Sequence, residues 1–286
     1  MCNLYNIDTI KKILKKYRFK INKNLGQNFI IDSETCKKMA QECSISNEKI
    51  GIIEIGSGIG TLTKELAKIS DKIITIEKDD RLICILNETL KGFSNIKIIN
   101  SDVFDLDLGF LLLSEFDKFD KVMMCANLPY YITSKIIMKI LEENINIHSM
   151  IFMLQKESAE RICAIPGDKK CGSISVSIRY YSEAEILFNI NKTKFFPEPK
   201  VNSSVVKIII NKNKFFKINN KDNFFRIVRA GFRKKRKKLI NNLSSEFRLS
   251  KKFLENIFLK NNINLLIRAE NLSFDDFVFL ENNLKI

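Results

Sequence analysis

The chain has 286 residues, 45% of them apolar and 28% charged, the proportions of a globular protein with room for one substantial core and a smaller second one. No apolar run reaches the roughly 18 residues a bilayer span needs, Asp8, Lys11 and Lys12 interrupt the N-terminus where a signal peptide would be apolar, and the first residues lack the Arg/Ser richness of a transit peptide. The net charge of +15 is segregated, +6 in residues 1–40 and +10 in residues 213–286 around a nearly neutral middle; general solubility would not need that, whereas a polyanionic partner would, nucleic acid before membrane surface.

In chain order, the basic N-terminal arm leads into short β-branched runs that alternate with helical stretches, the mark of an α/β fold with a mostly parallel sheet. The strand candidates are 50–56, 72–77, 96–101, 121–127, 149–154, 184–190 and 204–210, and helical patterns fill 61–69, 79–91, 133–143, 156–164 and 173–181. The spacing predicts one doubly wound, Rossmann-like domain of seven strands over residues 1–212. No long helix separates the last two strands, so one of them is expected to run antiparallel at the sheet edge. Asn213 to Asn220 reads as a polar linker. From 222 onward, Phe224, Phe225, Val228, Phe232, Leu239, Leu243 and Phe247 recur at helical spacing, which predicts a small helical domain over 213–286.

Seven cysteines in no metal-ligand spacing read as free thiols of a cytoplasmic protein, and the single histidine, His148, has no partners for a zinc or His-based site, so no metal is expected. Chemistry is instead concentrated at strand ends. Glu54-Ile-Gly-Ser-Gly-Ile-Gly60 closes the first predicted strand and opens a helix, and Gly56 and Gly58 permit a tight turn with close backbone approach to a ligand. The nicotinamide fingerprint would place glycine at 61, where this chain has Thr61. The Gly-x-Gly-x-Gly form is the one S-adenosylmethionine (SAM) methyltransferases usually carry; the alternative is a tight turn with no ligand. Glu77 ends the second strand, where an acid accepts from ribose hydroxyls, and Asp102 follows the third, where it could accept from an adenine amino group.

The fourth strand ends in Asn127-Leu128-Pro129-Tyr130. The amide and nearby carbonyls can accept hydrogen bonds from an exocyclic amine, proline fixes the turn, and the tyrosine ring offers a face for a planar base. A site that methylates an amino group on a base needs these three things together.

Across nearly its whole length the chain resembles the KsgA-type rRNA adenine N6,N6-dimethyltransferases of the small ribosomal subunit, in the KsgA/Erm superfamily. The resemblance is carried by Asn24-Leu-Gly-Gln-Asn-Phe29, Glu54 to Gly60, Ala126-Asn-Leu-Pro-Tyr-Tyr-Ile-Thr133, Met153-Leu-Gln-Lys-Glu157, Phe195-Phe-Pro-Glu-Pro-Lys-Val-Asn-Ser203, Gly231-Phe-Arg-Lys-Lys-Arg-Lys237 and Arg268-Ala-Glu-Asn-Leu-Ser273. It implies a SAM-binding domain in which Asn28 and Ile30 reach over the cofactor and Gly56, Glu77, Asp102 and Asn127 line it. Ser57 stands where proline is usual, and Phe196 where the residue is often smaller or polar. It also implies two adjacent target adenosines in small-subunit (16S) rRNA, presented to a monomer within a pre-ribosomal particle.

On that basis Asn127 and the carbonyl of Leu128 or Pro129 would accept from N6, with the reacting atoms held in line at about 3–3.5 Å. Tyr130 would stack on one face of the base and Phe195 on the other, unless Phe195 is a core anchor for its proline loop. Residues 226–238 hold eight positive charges and no acid, and Arg229, Arg233, Lys234, Lys235, Arg236 and Lys237 are the candidate phosphate contacts, against the alternative of a solvated helix face. Two rivals share the scaffold. Erm-type methylases act on large-subunit rRNA, confer antibiotic resistance and typically carry Asn-Ile-Pro-Tyr where this chain has Asn-Leu-Pro-Tyr. The second rival is a non-catalytic assembly or transcription factor.

Overall fold

The computed structural model describes residues 2–22, 25–130, 132–211 and 217–284; Asn24, Tyr131 and residues 213–216 of the expected linker lie outside them. The strands are β1 (Phe29–Ile30), β2 (Ile50–Ile55), β3 (Lys72–Glu77), β4 (Ile96–Asn100), β5 (Lys121–Asn127), β6 (Ser149–Gln155), β7 (Ser182–Ile190), β8 (Phe195–Phe196) and β9 (Ser203–Ile210). Seven of them form one sheet in the order β4-β3-β2-β5-β6-β9-β7. β2 to β6 pair in parallel, each joined to the next by a helix, so their C-terminal ends share one sheet edge. The order reverses between β2 and β5, and ligands of such folds bind in the crevice beside that reversal.

The expected antiparallel strand is β9, but it is not at the edge. It pairs antiparallel with β6 along its length and lies between β6 and β7, leaving β7 outermost. Burial explains the placement: Ser203 to Val206 are all buried, as an interior strand requires, whereas β7 alternates with exposed Glu183 and Glu185.

Two features go beyond what the sequence predicts. The basic N-terminal arm contains a helix, Ile7–Lys16, whose N-cap Asn6 accepts from the Thr9 N–H. Its Ile10, Ile13 and Leu14 are buried in a cluster with Phe29, Ile59, Leu82 and Ile85, each such side chain contributing about 1.5–3 kcal/mol. In addition, β1 and β8 form a two-stranded antiparallel ribbon that pairs Phe29 with Phe196 and Ile30 with Phe195.

The chain divides into two compact units, residues 1–159 with 185–210 and residues 160–184 with 211–286. The second unit is helical, built around Lys221–Phe232, Leu239–Phe247, Lys251–Lys260 and Phe274–Asn283. It also takes in 160–184, which the sequence boundary at 212/213 assigns to the first domain. Cys171 and Val176 are buried with Phe224, Phe258 and Phe277 and so belong to the helical core.

Candidate active site

After Ile55 the chain turns through Gly56, Gly58 and Gly60 into the helix Thr61–Ala67. These glycines hold φ values of +76°, +58° and +85°, the left-handed region that side chains resist. A Cβ on Gly58 would also come within 3.2 Å of the Phe29 ring, so the turn lies tight against β1. It forms one wall of a cavity of about 430 Å³ at the C-terminal edge of the parallel strands.

Asn28, Ile30, Gly56, Gly58, Glu77, Asp102, Asn127 and Pro129 all line that cavity. Glu77 is buried at the end of β3, and its carboxylate accepts from the Gly58 and Asp79 N–H groups, each at 2.9 Å. Burial pushes the carboxyl up despite those donors. Each oxygen keeps acceptor capacity for a ligand hydroxyl. At Asp102 burial also acts to raise the carboxyl, but the Lys78 ammonium at 2.7 Å and the Phe104 N–H at 3.0 Å outweigh it and hold the group below the ordinary carboxylate range. Val103 and Phe104 follow it on the cavity wall and supply apolar surface.

Asn127 ends β5 with its amide divided. Nδ2 donates to the Asn28 carbonyl at 3.0 Å, which leaves Oδ1 as the acceptor half. The next residues are held by their own backbone. The Leu128 N–H donates to the Met153 carbonyl at 3.2 Å and its side chain is buried, while the Pro129 carbonyl accepts from the Ile132 N–H and the Thr133 hydroxyl. Of the two carbonyls that could receive an incoming amine, that of Pro129 is therefore already engaged, and Leu128 and Tyr130 are not among the residues that line the cavity. The Tyr130 hydroxyl pairs with Ser203 Oγ at 2.9 Å, which fixes the ring to the start of β9.

The structure corrects the expectation for Phe195. The side chain is 3% exposed and absent from the cavity wall, packed with Ile30, Ile190 and Val205 in the core under the sheet. It takes the alternative role, an anchor for the β1–β8 ribbon, because its ring is enclosed by those core side chains and is not open to a base.

The loop before β1 closes the cavity from the N-terminal side. Gln27 Nε2 donates to Asp79 at 2.7 Å, and Gly26 packs on Pro129. The Arg81 guanidinium, with help from Gln27, holds the Asp79 carboxyl below its usual range. Sequence reasoning missed Gln27 and Asp79 because their link depends on a long-range contact, although Asp79 does stand as a helix N-cap before Asp80. It also missed Lys135, Val103 and Phe104, the last two signalled by an apolar pair directly after a strand-end acid. Ser57 and Thr61 line the cavity, but their hydroxyl oxygens are buried away from it, with no hydrogen-bond partner among the described residues. Glu54, beneath them, accepts from the Thr63 and Thr75 hydroxyls at 2.6 and 3.0 Å, and burial pushes its carboxyl up to about 7.

In the helical unit, Arg229 lies on Lys221–Phe232, and Arg233 to Lys237 form the exposed turn that follows it. The buried Asn242 shapes that turn by donating to the Gly231 carbonyl at 2.6 Å and to that of Lys234 at 3.3 Å. Arg233 is ion-paired with Glu246, so its charge is partly compensated.

A family model described as ribosomal RNA adenine dimethylase matches residues 18–285. The chain belongs to the ribosomal RNA adenine dimethylase family. The match runs through both compact units. Proteins named ribosomal RNA small subunit methyltransferase A from Bacillus pumilus (strain SAFR-032) and Geobacillus sp. (strain WCH70) are 41% and 40% identical over 278 residues, covering 96% of this chain and 95% of each relative. Among solved structures, a dimethyladenosine transferase from Plasmodium falciparum is 25% identical with a TM-score of 0.71, covering 88% of this chain and 95% of that one. The 23S rRNA methyltransferase ErmE is 20% identical with a TM-score of 0.69, covering 90% and 100%, and shares the fold.

Proposed function

We propose that this adenine dimethylase uses S-adenosylmethionine to dimethylate N6 of two adjacent adenosines in small-subunit rRNA, acting as a cytoplasmic monomer on a pre-ribosomal particle. The choice of subunit follows the relatives at about 40% identity, which are named for the small subunit, over the large-subunit ErmE at 20%.

The residues present suit the donor. Glu77 has acceptor sites left for ribose hydroxyls, and Asp102 can accept from the adenine amine with Val103 and Phe104 beside it. When bound, SAM supplies a methyl group already activated by its sulfonium, so the chain needs no strong base to begin. Its task is alignment. Adenine N6 is a poor nucleophile because its lone pair is delocalised into the ring. Acceptors on both N6–H bonds pull the nitrogen toward tetrahedral geometry and stabilise the positive charge it acquires. In this reading Asn127 Oδ1 and the Leu128 carbonyl take that role, and Tyr130, whose hydroxyl is tethered to Ser203, is the stacking face; the Asn127–Asn28 bond, which leaves Oδ1 free to accept, supports it. The exposed basic turn contributes phosphate contacts.

The divided Asn127 amide carries this reading, because one bond turns an ambivalent side chain into a dedicated acceptor at the cavity edge. Its test is methyl transfer by Asn127→Ala on purified small-subunit particles. The expected loss is roughly a hundredfold or more, as for other preorganised polar groups in active sites. Near-wild-type transfer would remove Asn127 from the mechanism.

A further inference from the structure

We infer that Gln27, clamped by Asp79, is a positioning residue of the methyl transfer: it fixes the Asn28 carbonyl, which in turn fixes the orientation of the Asn127 amide. The inference rests on Asn127 being the acceptor for adenine N6 and deepens that reading, by naming what holds the acceptor in place.

A carbonyl can only accept, so the 3.0 Å bond from Asn127 Nδ2 to Asn28 leaves the Asn127 amide one orientation. That carbonyl belongs to residues 25–28, which lie ahead of the β1 register with β8 that begins at Phe29. Side chains tie the segment down. Gln27 Nε2 donates to Asp79 Oδ2 at 2.7 Å, while Gln27 Oε1 accepts from the Asn22 N–H at 2.7 Å. A carboxylate cannot donate and a backbone N–H cannot accept, so Gln27 is also held to one orientation, and rotating its amide breaks both bonds. To either side of Gln27, Asn28 Nδ2 donates to the Gly26 carbonyl at 3.1 Å, and a Cβ on Gly26 would meet the Pro129 Cβ at 3.4 Å. The segment therefore rests directly on the turn that follows Asn127.

Asp79 is the fixed end of the clamp. It is buried, it caps the helix Asp80–Thr89, and its two oxygens receive Arg81 Nε and Nη2 at 2.7 and 2.6 Å. Such a charge-assisted, two-pronged pair is strong and sets geometry as well as energy. Arg81 in turn lies over the Phe19 ring, 4.8 Å from its centre, and Phe19 is buried in the cluster that holds the N-terminal helix. The contacts run from Arg81 through Asp79, Gln27 and Asn28 to Asn127, from a helix start to the reacting edge. In-line transfer is sensitive to placement, a misplacement of about 1 Å costing about a hundredfold, so loosening Gln27 falls on the chemical step. Gln27 also lines the cavity, and the alternative is a direct contact with the donor.

The test is single-turnover methyl transfer at saturating SAM, on purified small-subunit particles lacking the modification, with Gln27→Leu, Asn127→Ala and the double variant. Gln27→Leu is expected to slow transfer by about tenfold or more. Added to Asn127→Ala it should cost less than about twofold further, because the clamp then has nothing to orient. Losses that multiply in the double variant would overturn the inference. So would a Gln27→Leu chain with the wild-type rate at saturating SAM and weakened SAM binding by calorimetric titration, which would make Gln27 a donor contact. A role-swapped pair keeps the test open if Gln27→Leu does not fold. Gln27→Glu alone sets two carboxylates together. Adding Asp79→Asn restores an amide–carboxylate bond and keeps a good helix cap, and should regain about tenfold in rate; no regain would overturn the clamp. Near-wild-type transfer by Asn127→Ala would refute the acceptor itself, and the clamp with it, whereas a wild-type rate for Gln27→Leu beside a crippled Asn127→Ala refutes the clamp alone.

Discussion

Glu54 is a carboxyl sealed under the glycine turn, 1% exposed, with two threonine hydroxyls donating to one of its oxygens. Burial outweighs those donors and lifts it from the ordinary 4.5 to about 7. The folded protein therefore holds this proton more tightly than the unfolded chain does. The stability it contributes is fully present below about pH 4.5 and is lost as pH rises through about 7. In Glu54→Gln the amide oxygen can still accept from Thr63 and Thr75 but does not titrate. The stability of wild type relative to this variant should fall by an amount on the order of 3 kcal/mol across that window. Denaturant unfolding of both proteins at several pH values measures it, and a difference that does not change with pH would contradict the buried-acid assignment. At this scale the strand-end residues Glu77, Asp102 and Asn127 were legible in the sequence, because a polar residue ending an apolar run is a local signal. The partnerless hydroxyls were not, since lacking a partner depends on every neighbour the fold brings near.

Among the elements, the glycine turn and the β1–β8 ribbon constrain one another. Gly58 sits at φ +58° with its missing Cβ against Phe29, and Phe29 is held by its pairing with Phe196. Gly58→Ala should cost about 1–2 kcal/mol for the left-handed backbone alone, and more for the ring contact. Replacing Phe29 by Leu in the same chain should recover only the contact part. Thermal unfolding of the single and double variants separates the two costs. A Gly58→Ala protein as stable as wild type would mean that the turn is not as described. The glycine pattern was readable as a turn against a ligand. The ribbon was not, because strands of two residues carry no periodicity and join segments far apart in the chain. The same blindness misassigned Phe195. An aromatic beside a proline loop suits stacking as well as anchoring until its burial in the core is known.

For the whole molecule, charge segregation was the most legible feature and the domain boundary the least. Residues 160–184 follow directly on the strand-and-helix pattern of the first unit, yet Cys171 and Val176 bury among the helices of the second. Apolar spacing shows that a face is buried but not against what. The exposed turn of Lys234, Lys235, Arg236 and Lys237 should make RNA affinity fall steeply with salt. Changing these four to Ala should flatten the slope of log affinity against log salt by roughly 0.7–0.9 for each phosphate no longer neutralised, whereas Arg233→Ala should matter less because Glu246 already compensates it. Filter binding to small-subunit rRNA across a salt series measures this, and an unchanged slope in the fourfold variant would exclude the turn as the docking surface. The central claim, that the end of β5 holds adenine N6 for two successive methylations, has a more direct test. Small-subunit particles lacking the modification are incubated with the protein and isotopically labelled SAM, and the rRNA is digested to nucleosides for mass spectrometry. The account predicts N6,N6-dimethyladenosine from wild type and almost none from Asn127→Ala. Label that stops at monomethyladenosine, or that enters only large-subunit rRNA, would contradict it.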